Sequence, residues 1–354
     1  MTLNDILAGI EPLDDQWSRR AAAERTERLV MPPRALGRLH DIGERLCAIS
    51  RGLDPRVDEK AVLVMAADHG VAGNGVSAYP QEVTGAMVTT FLAGGAGINA
   101  ISRHVGARVR VVDVGVIPDI ETSGTDPGLL HVEKVGRGTA DFTQGPAMSR
   151  EDAEKSVMIG FERASALFKE GLDILGTGDM GIGNTSPSAA VGMAITGKGS
   201  DEMTGPGTGV DAAGLERKKE AIRRGLELNR PDPKDGLDVL SKVGGFEIGA
   251  IAGSILAAAF HKKPVVVDGF ISTAGALIAH ALSPASVGYM FAGHCSREPG
   301  HVHMLGFLGI EPILSLGLRL GEGTGAALAM GVIEAAVKVF KEVMTFEEAG
   351  VPDP

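Results

Sequence analysis

The sequence predicts an α/β fold built of βαβ units around a buried parallel sheet. Three observations carry that prediction. Short apolar runs, several rich in valine, recur along the chain. Helical stretches separate most of them, and each run ends in Gly, Asp or His. In a parallel sheet, ligands bind at the carboxyl ends of the strands, so five such ends predict one shared site.

The elements follow in chain order. Residues 14–29 and 36–50 show helical spacing and are joined by VMPPRA (30–35), a proline-containing break. The run AVLVMAA (61–67) reads as a strand and leads into Asp68-His69-Gly70. RVRVVDV (108–114) is the second, with Asp113 near its end and Gly115 after it. Ser149 and Asp152 form an S-x-x-D capping box that opens a helix. LDILG (172–176) is the third strand and runs into a glycine loop. NRPDPKDG (229–236) is a surface connection. PVVVD (264–268) ends in Asp268-Gly269, and SVGYMFA (286–292) is followed by Gly293-His294. A last helix spans about 325–343. The chain shows no convincing internal repeat and no low-complexity tract.

Composition narrows the function. The 354 residues suit one large α/β domain with a smaller appendage, and 44% hydrophobic content is ample for a core. A net charge of −11 and only 4% aromatics argue against nucleic acid as a partner. Two cysteines, Cys47 and Cys295, make no disulfide framework and fit a reducing compartment. The first twenty residues lack a signal-peptide pattern, and no uninterrupted apolar run reaches membrane-spanning length, so a soluble cytoplasmic protein is expected.

GTGDMG (176–181) matches the dinucleotide fingerprint G-x-G-x-x-G literally. Its context does not match. Thr185-Ser186-Pro187 reads as a helix cap followed by Pro at the first helical position, so the helix opens after the motif rather than inside it. Asp201 and Glu202 stand near the spacing of the ribose-binding acid, but in a loop. A phosphate or carboxylate at the helix N-terminus fits better. GPGTG (205–209) precedes a second helix near Asp211, with Lys218 two turns in as a point charge for an anion. VVVDGFISTAGA (265–276) is like a phosphoribosyl-pyrophosphate loop, but Gly269 replaces the second acid that a Mg²⁺ site needs. His294, Cys295, His301 and His303 match no standard zinc spacing, and no metal is expected.

LRLGEGTGAALAM (318–330) closely resembles the carboxyl-terminal motif of the nicotinate-nucleotide–dimethylbenzimidazole phosphoribosyltransferases. AVLVMAADHGV (61–71), GPAMSR (145–150), GDMGIGNTSP (178–187), DGLDVLSKVGGFEIG (235–249), VVVDGFISTAGAL (265–277) and GHCSREPGH (293–301) resemble that family in the same order, over nearly the whole chain. The resemblance implies a doubly wound, mostly parallel, Rossmann-like sheet (51–325). It also implies a small helical domain built from both chain ends (1–50 plus 326–354), and a homodimer. The implied reaction moves 5-phosphoribose from nicotinate mononucleotide to 5,6-dimethylbenzimidazole, giving α-ribazole 5′-phosphate, the lower-ligand nucleotide of cobalamin, and nicotinate. It implies Glu322 as general base and Asp179, where family members usually carry Glu, as a supporting carboxylate. Phosphate and ribose are expected at Gly178, Gly181, Gly183, Asn184, Thr185, Gly207, Thr208, Gly209 and Lys218. The base pocket is expected around Tyr79, Met87, Met180 and Leu320. The family's K-P-x-G-S-L-G-R-L appears as MPPRALGRL (31–39), without the lysine and the Gly-Ser pair. The competing readings are a non-catalytic binder of a ribazole-type nucleotide and an NAD-dependent oxidoreductase.

Overall fold

Seven parallel strands form one sheet in the order β3-β2-β1-β4-β5-β6-β7. The structure is a computed structural model that describes residues 1–121, 126 and 128–352. The strands are β1 (Lys60–Ala67), β2 (Ala107–Gly115), β3 (Leu130–Val132), β4 (Ile174–Met180), β5 (Val265–Val267), β6 (Met290–His294) and β7 (Pro312–Leu314). The chain winds outward from β1 through β2 and β3, then returns to β4 and winds the other way. The topological switch therefore lies between β1 and β4, where a doubly wound sheet opens a crevice at its carboxyl edge. All eight residues of β1 are buried, as expected of a central strand covered on both faces.

The structure moves several boundaries. The strand expected over 172–176 continues through Thr177, Gly178, Asp179 and Met180, so most of the glycine motif is β-ladder, with Gly178 opposite Val64. The strand expected over 286–292 starts as a 3₁₀ turn, Pro284–Tyr289, and pairs only from Met290. β3 and β7 were not predicted, because three-residue edge strands are too short to show alternation. The helix expected over 14–29 is broken by a π turn, Ser18–Ala22, between Asp15–Trp17 and Ala23–Glu27. The helix expected from 36 starts at Arg38, after Gly37 at φ +53°. The last helix is Thr324–Glu342, close to expectation.

Two helical layers cover the sheet. In one, Arg150–Lys169 and Phe246–Phe260 pack in close contact. Glycines make this possible: a Cβ on Gly160 or Gly253 would sit 1.8 Å from the facing Ala250 or Val157 carbonyl oxygen. In the other, Thr324–Glu342 lies on β4, β5 and β6 and also packs against Arg38–Ser50 and Gly97–Val105. The chain ends meet through a Leu29–Thr345 bridge, and Arg25 Nε donates to the Phe340 carbonyl at 2.9 Å. By length and mean hydropathy Val83–Val105 is apolar enough to cross a membrane, although Thr89, Thr90, Asn99 and Arg103 interrupt it, so it is not an uninterrupted apolar run. In the fold it is two helices, Val83–Leu92 and Gly97–Val105, interrupted at 93–96.

Candidate active site

The carboxyl ends of β4, β5 and β6 open onto one cleft. Asp179, Asn184, Thr185, Gly207, Thr208 and Leu320 line it, as the sequence grouped them. Gly269, Phe270, Ile271, His294, Ser296, Glu298, Arg319 and Gly321 also line it. A larger cavity opens at the opposite, amino-terminal ends of β4 and β5, but it holds none of the expected residues.

One end of the cleft is built on the two glycine segments. The helix after β4 is Thr185–Thr196, with Asn184 at the cap position. It starts two residues before the Pro187 first position read from the sequence. The Asn184 amide does not cap the helix; it donates to Asp179 Oδ2 at 2.9 Å. In the second segment, Gly207 and Gly209 take φ of +55° and +105°, conformations that favour glycine. Lys218 ties the segments together. It lies on the helix Ala212–Asn229, is wholly buried, and its Nζ donates to Thr185 Oγ1 at 2.7 Å and to the Gly205 carbonyl at 3.0 Å. Burial pushes the Lys218 ammonium down to about 8, while the nearby Glu298 carboxylate opposes that shift. Glu298 Oε1 accepts from the Gly207 N–H at 3.0 Å.

Several expected phosphate groups lie outside the cleft wall, and Thr208, though in the wall, has its hydroxyl engaged. The Thr208 hydroxyl accepts from Ala78 N at 3.0 Å and shares a hydrogen bond with Ser77, so it anchors the neighbouring turn. Gly178 lies within β4. Gly181 is packed against Ala67, where a Cβ would stand 2.3 Å from the carbonyl oxygen, and Gly183 takes φ +90° beside Ala72. Gly209 and Lys218 are likewise absent from the cleft wall.

Of the two expected carboxylates, Asp179 lines the cleft, and Glu322 follows the wall residue Gly321 without itself lining it. Glu322 is 5% exposed, and its Oε2 accepts from Ile98 N at 3.0 Å, in the first turn of the helix Gly97–Val105. Asp179 is 6% exposed, and Gly321 lies directly over it: a Cβ there would be 3.2 Å from both carboxylate oxygens. Burial raises the Glu322 pKa; the Ile98 N–H opposes the rise and the Asp268 charge adds to it. The helix that follows Glu322, Thr324–Glu342, does not supply the N–H that meets its carboxylate. The amide that meets the carboxylate belongs to a different helix, and desolvation outweighs it. Asp179 rises well above the usual carboxylate range, chiefly by burial and then by the Asp268 charge, with the Asn184 hydrogen bond opposing.

The expected base pocket is only partly assembled. Leu320 is 60% exposed at the cleft and sits against Gly97. Tyr79 is exposed on the turn anchored by Thr208 and does not line the cleft. Met87 and Met180 are half-buried and pack on the hydrophobic core. The sequence missed Asp268, Glu298 and His294 as site groups. Asp268 and His294 were visible as strand-end residues, whereas Glu298 carried no signal beyond an acid in a loop between a strand and a helix. His301 of the rejected zinc set has both nitrogens engaged within the chain. Its Nδ1 accepts from Ser296 N at 2.8 Å, so Nε2 bears the proton and donates to Thr273 Oγ1 at 2.9 Å.

A doubly wound sheet with buried carboxylates and a lysine-backed glycine loop at its carboxyl edge defines an α/β protein built to hold a small anionic ligand. The chain belongs to the DBI_PRT phosphoribosyltransferase family, whose model matches residues 10–351. It is 53% identical over 351 residues to the nicotinate-nucleotide–dimethylbenzimidazole phosphoribosyltransferase of Geotalea uraniireducens (strain Rf4), covering 99% of this chain and 98% of that one. The protein of the same name from Desulforudis audaxviator (strain MP104C) is 54% identical over 342 residues, covering 97% and 96%. The crystal structure of CobT from Thermus thermophilus superimposes with a TM-score of 0.91 at 46% identity, covering 96% of this chain and 100% of that one.

Proposed function

We propose that this protein transfers 5-phosphoribose from nicotinate mononucleotide to 5,6-dimethylbenzimidazole, giving α-ribazole 5′-phosphate and nicotinate. Family membership supports the reaction. The observation that carries the site assignment is one cleft whose wall holds Asp179 and Gly321 together with the lysine-backed segment of Thr185 and Gly207, with the buried Glu322 next in the chain after Gly321. The phosphate lies toward Thr185, Gly207 and Lys218, and the acceptor base lies toward Leu320 and Glu322. Ribose between them lies over Asp179.

The chemistry needs one base. A benzimidazole nitrogen attacks the anomeric carbon as the bond to the nicotinate ring nitrogen breaks. That electron pair returns to the pyridinium, so nicotinate leaves with a neutral ring. The new benzimidazole bond makes the acceptor ring cationic until its other nitrogen releases a proton, which Glu322 takes. Asp179 is the more deeply desolvated carboxyl and holds its own proton to higher pH. Its buried Oδ1 has no partner among the described residues and is placed to bond a ribose oxygen. Two carboxyls driven apart in this way divide the roles of base and proton-bearing donor.

We further read 1–50 plus 326–354 as a small helical unit beside a large unit, 51–325, supported by the Leu29–Thr345 bridge. We also read the protein as a cytoplasmic homodimer that works without membrane attachment. Incubating it with nicotinate mononucleotide and dimethylbenzimidazole, and following free nicotinate, tests the reaction. Substrate binding without release would favour a ribazole-type binder instead.

Lys218→Ala is expected to raise KM for nicotinate mononucleotide by roughly 10–100-fold, because it removes the charged hydrogen bonds, about 1.5–3 kcal/mol each, that hold Thr185 and the Gly205 carbonyl in the phosphate segment. KM for dimethylbenzimidazole should stay within about twofold. Unchanged initial-rate kinetics for both substrates would remove Lys218 from the site.

A further inference from the structure

Glu322 stands in a strained stretch of backbone. Gly321, Glu322 and Gly323 have φ of +83°, +62° and +89°, three successive residues in the left-handed region. For glycine this is cheap; for glutamate it costs about 1–2 kcal/mol and persists only where the surroundings fix it. Internal bonds close part of the turn, since Thr324 donates to the Gly321 carbonyl through both N (3.1 Å) and Oγ1 (2.8 Å). The grip from outside comes from Asp268, at the end of β5. Its Oδ2 accepts from Gly323 N at 3.2 Å and its Oδ1 from Ala326 N at 2.9 Å. Asp268 is fully buried, and its own N–H donates to Thr177 Oγ1 of β4 at 3.2 Å. Asp268 thus fastens the turn through its side chain and meets β4 through its own N–H.

We propose that Asp268 is a positioning residue for the reaction: it clamps the 321–326 turn so that the Glu322 carboxylate faces the acceptor base. This rests on the reading of Glu322 as the base. The groups facing Glu322 are Asp268, Asp179 and the Ile98 N–H; those facing Asp268 are His294, at 3.8 Å, Asp179 and the amides of the turn. When ionised, the clamp also disfavours ionisation of Glu322 and makes it a stronger base; burial raises the pKa of Asp268 itself, opposed by His294 and the amides of the turn.

Two variants separate position from charge. Asp268→Asn keeps an acceptor and removes the charge. It is expected to lower kcat about 10²-fold, the scale of a misplacement near 1 Å, with KM for nicotinate mononucleotide within about twofold. The acid limb of its kcat/KM profile should move to lower pH, because Glu322 loses an anionic neighbour. Asp268→Glu keeps the charge and pushes the turn out by a methylene. It should lose kcat with the acid limb unmoved. A clamp that is only structural would cost folded protein, seen by thermal melting and active-site titration, and leave the limb where it is in both variants. That result overturns the proposal, as does Asp268→Glu at the wild-type kcat, even if Asp268→Asn fails to fold. A wild-type protein that releases no nicotinate in the same assay instead refutes the parent reading.

Discussion

Glu322→Gln is expected to lower kcat by about 10²–10⁴, roughly 3–5 kcal/mol of barrier, while nicotinate mononucleotide still binds. The amide keeps the side chain's shape but cannot take the benzimidazole proton. The phosphate contacts proposed at Thr185 and Gly207 do not involve Glu322, so KM for the nucleotide should change little. Burial adds a pH signature. Glu322 is raised from the ordinary value of 4.5, and a base works only when ionised. The wild-type rate should therefore rise with pH along an acid limb displaced above the ordinary glutamate range. That limb should vanish in Glu322→Gln, leaving a flat, slow reaction in which water takes the proton. Asp179→Asn, measured beside it under single-turnover conditions, should keep the limb, since Asp179 acts with its proton on. If Glu322→Gln turns over at the wild-type rate and Asp179→Asn does not, the base is the other carboxylate.

Much of the fold was legible because a buried parallel strand leaves a continuous apolar run. AVLVMAA and PVVVD were found for that reason, and so were the strand ends that build the cleft. β3 and β7 were not legible, since their order comes from pairing with a neighbour rather than from their own pattern. In the site, the residue pattern singled out both glycine segments, and the motif resemblance pointed to Asp179 and Glu322. It did not reveal what each backbone position does. Thr208 lines the cleft while its hydroxyl also holds the Ser77–Ala78 turn, and Met87 and Met180 pack on the core without lining the cleft. Asp268 failed as half of a metal-binding acid pair and emerges as the group bonded to the turn that carries Glu322. Such roles depend on which segments from distant parts of the chain come into contact, and one sequence does not record that.

The glycine motif shows how the same residues support a different reading once the contacts are known. Gly178 matches the second glycine of a dinucleotide fingerprint, the position that would let a pyrophosphate approach. What approaches it here is the chain itself. A Cβ on Gly178 would lie 2.6 Å from the Glu322 carbonyl oxygen, 2.8 Å from its carbonyl carbon and 3.0 Å from Gly323 N. All three are backbone atoms of a turn already bonded to Asp268, so no side-chain rotation relieves the clash. The strand cannot retreat either, because Gly178 is in the ladder opposite Val64. Gly178→Ala should therefore shift the turn and carry Glu322 out of line, lowering kcat about 10²-fold by misplacement. Overpacking should add about 1–3 kcal/mol of destabilisation, read as a lower Tm. KM for nicotinate mononucleotide should hold, because no phosphate contact is touched. The opposite split, with KM raised and kcat preserved, would return Gly178 to the phosphate site and show that the turn moves aside when substrate binds.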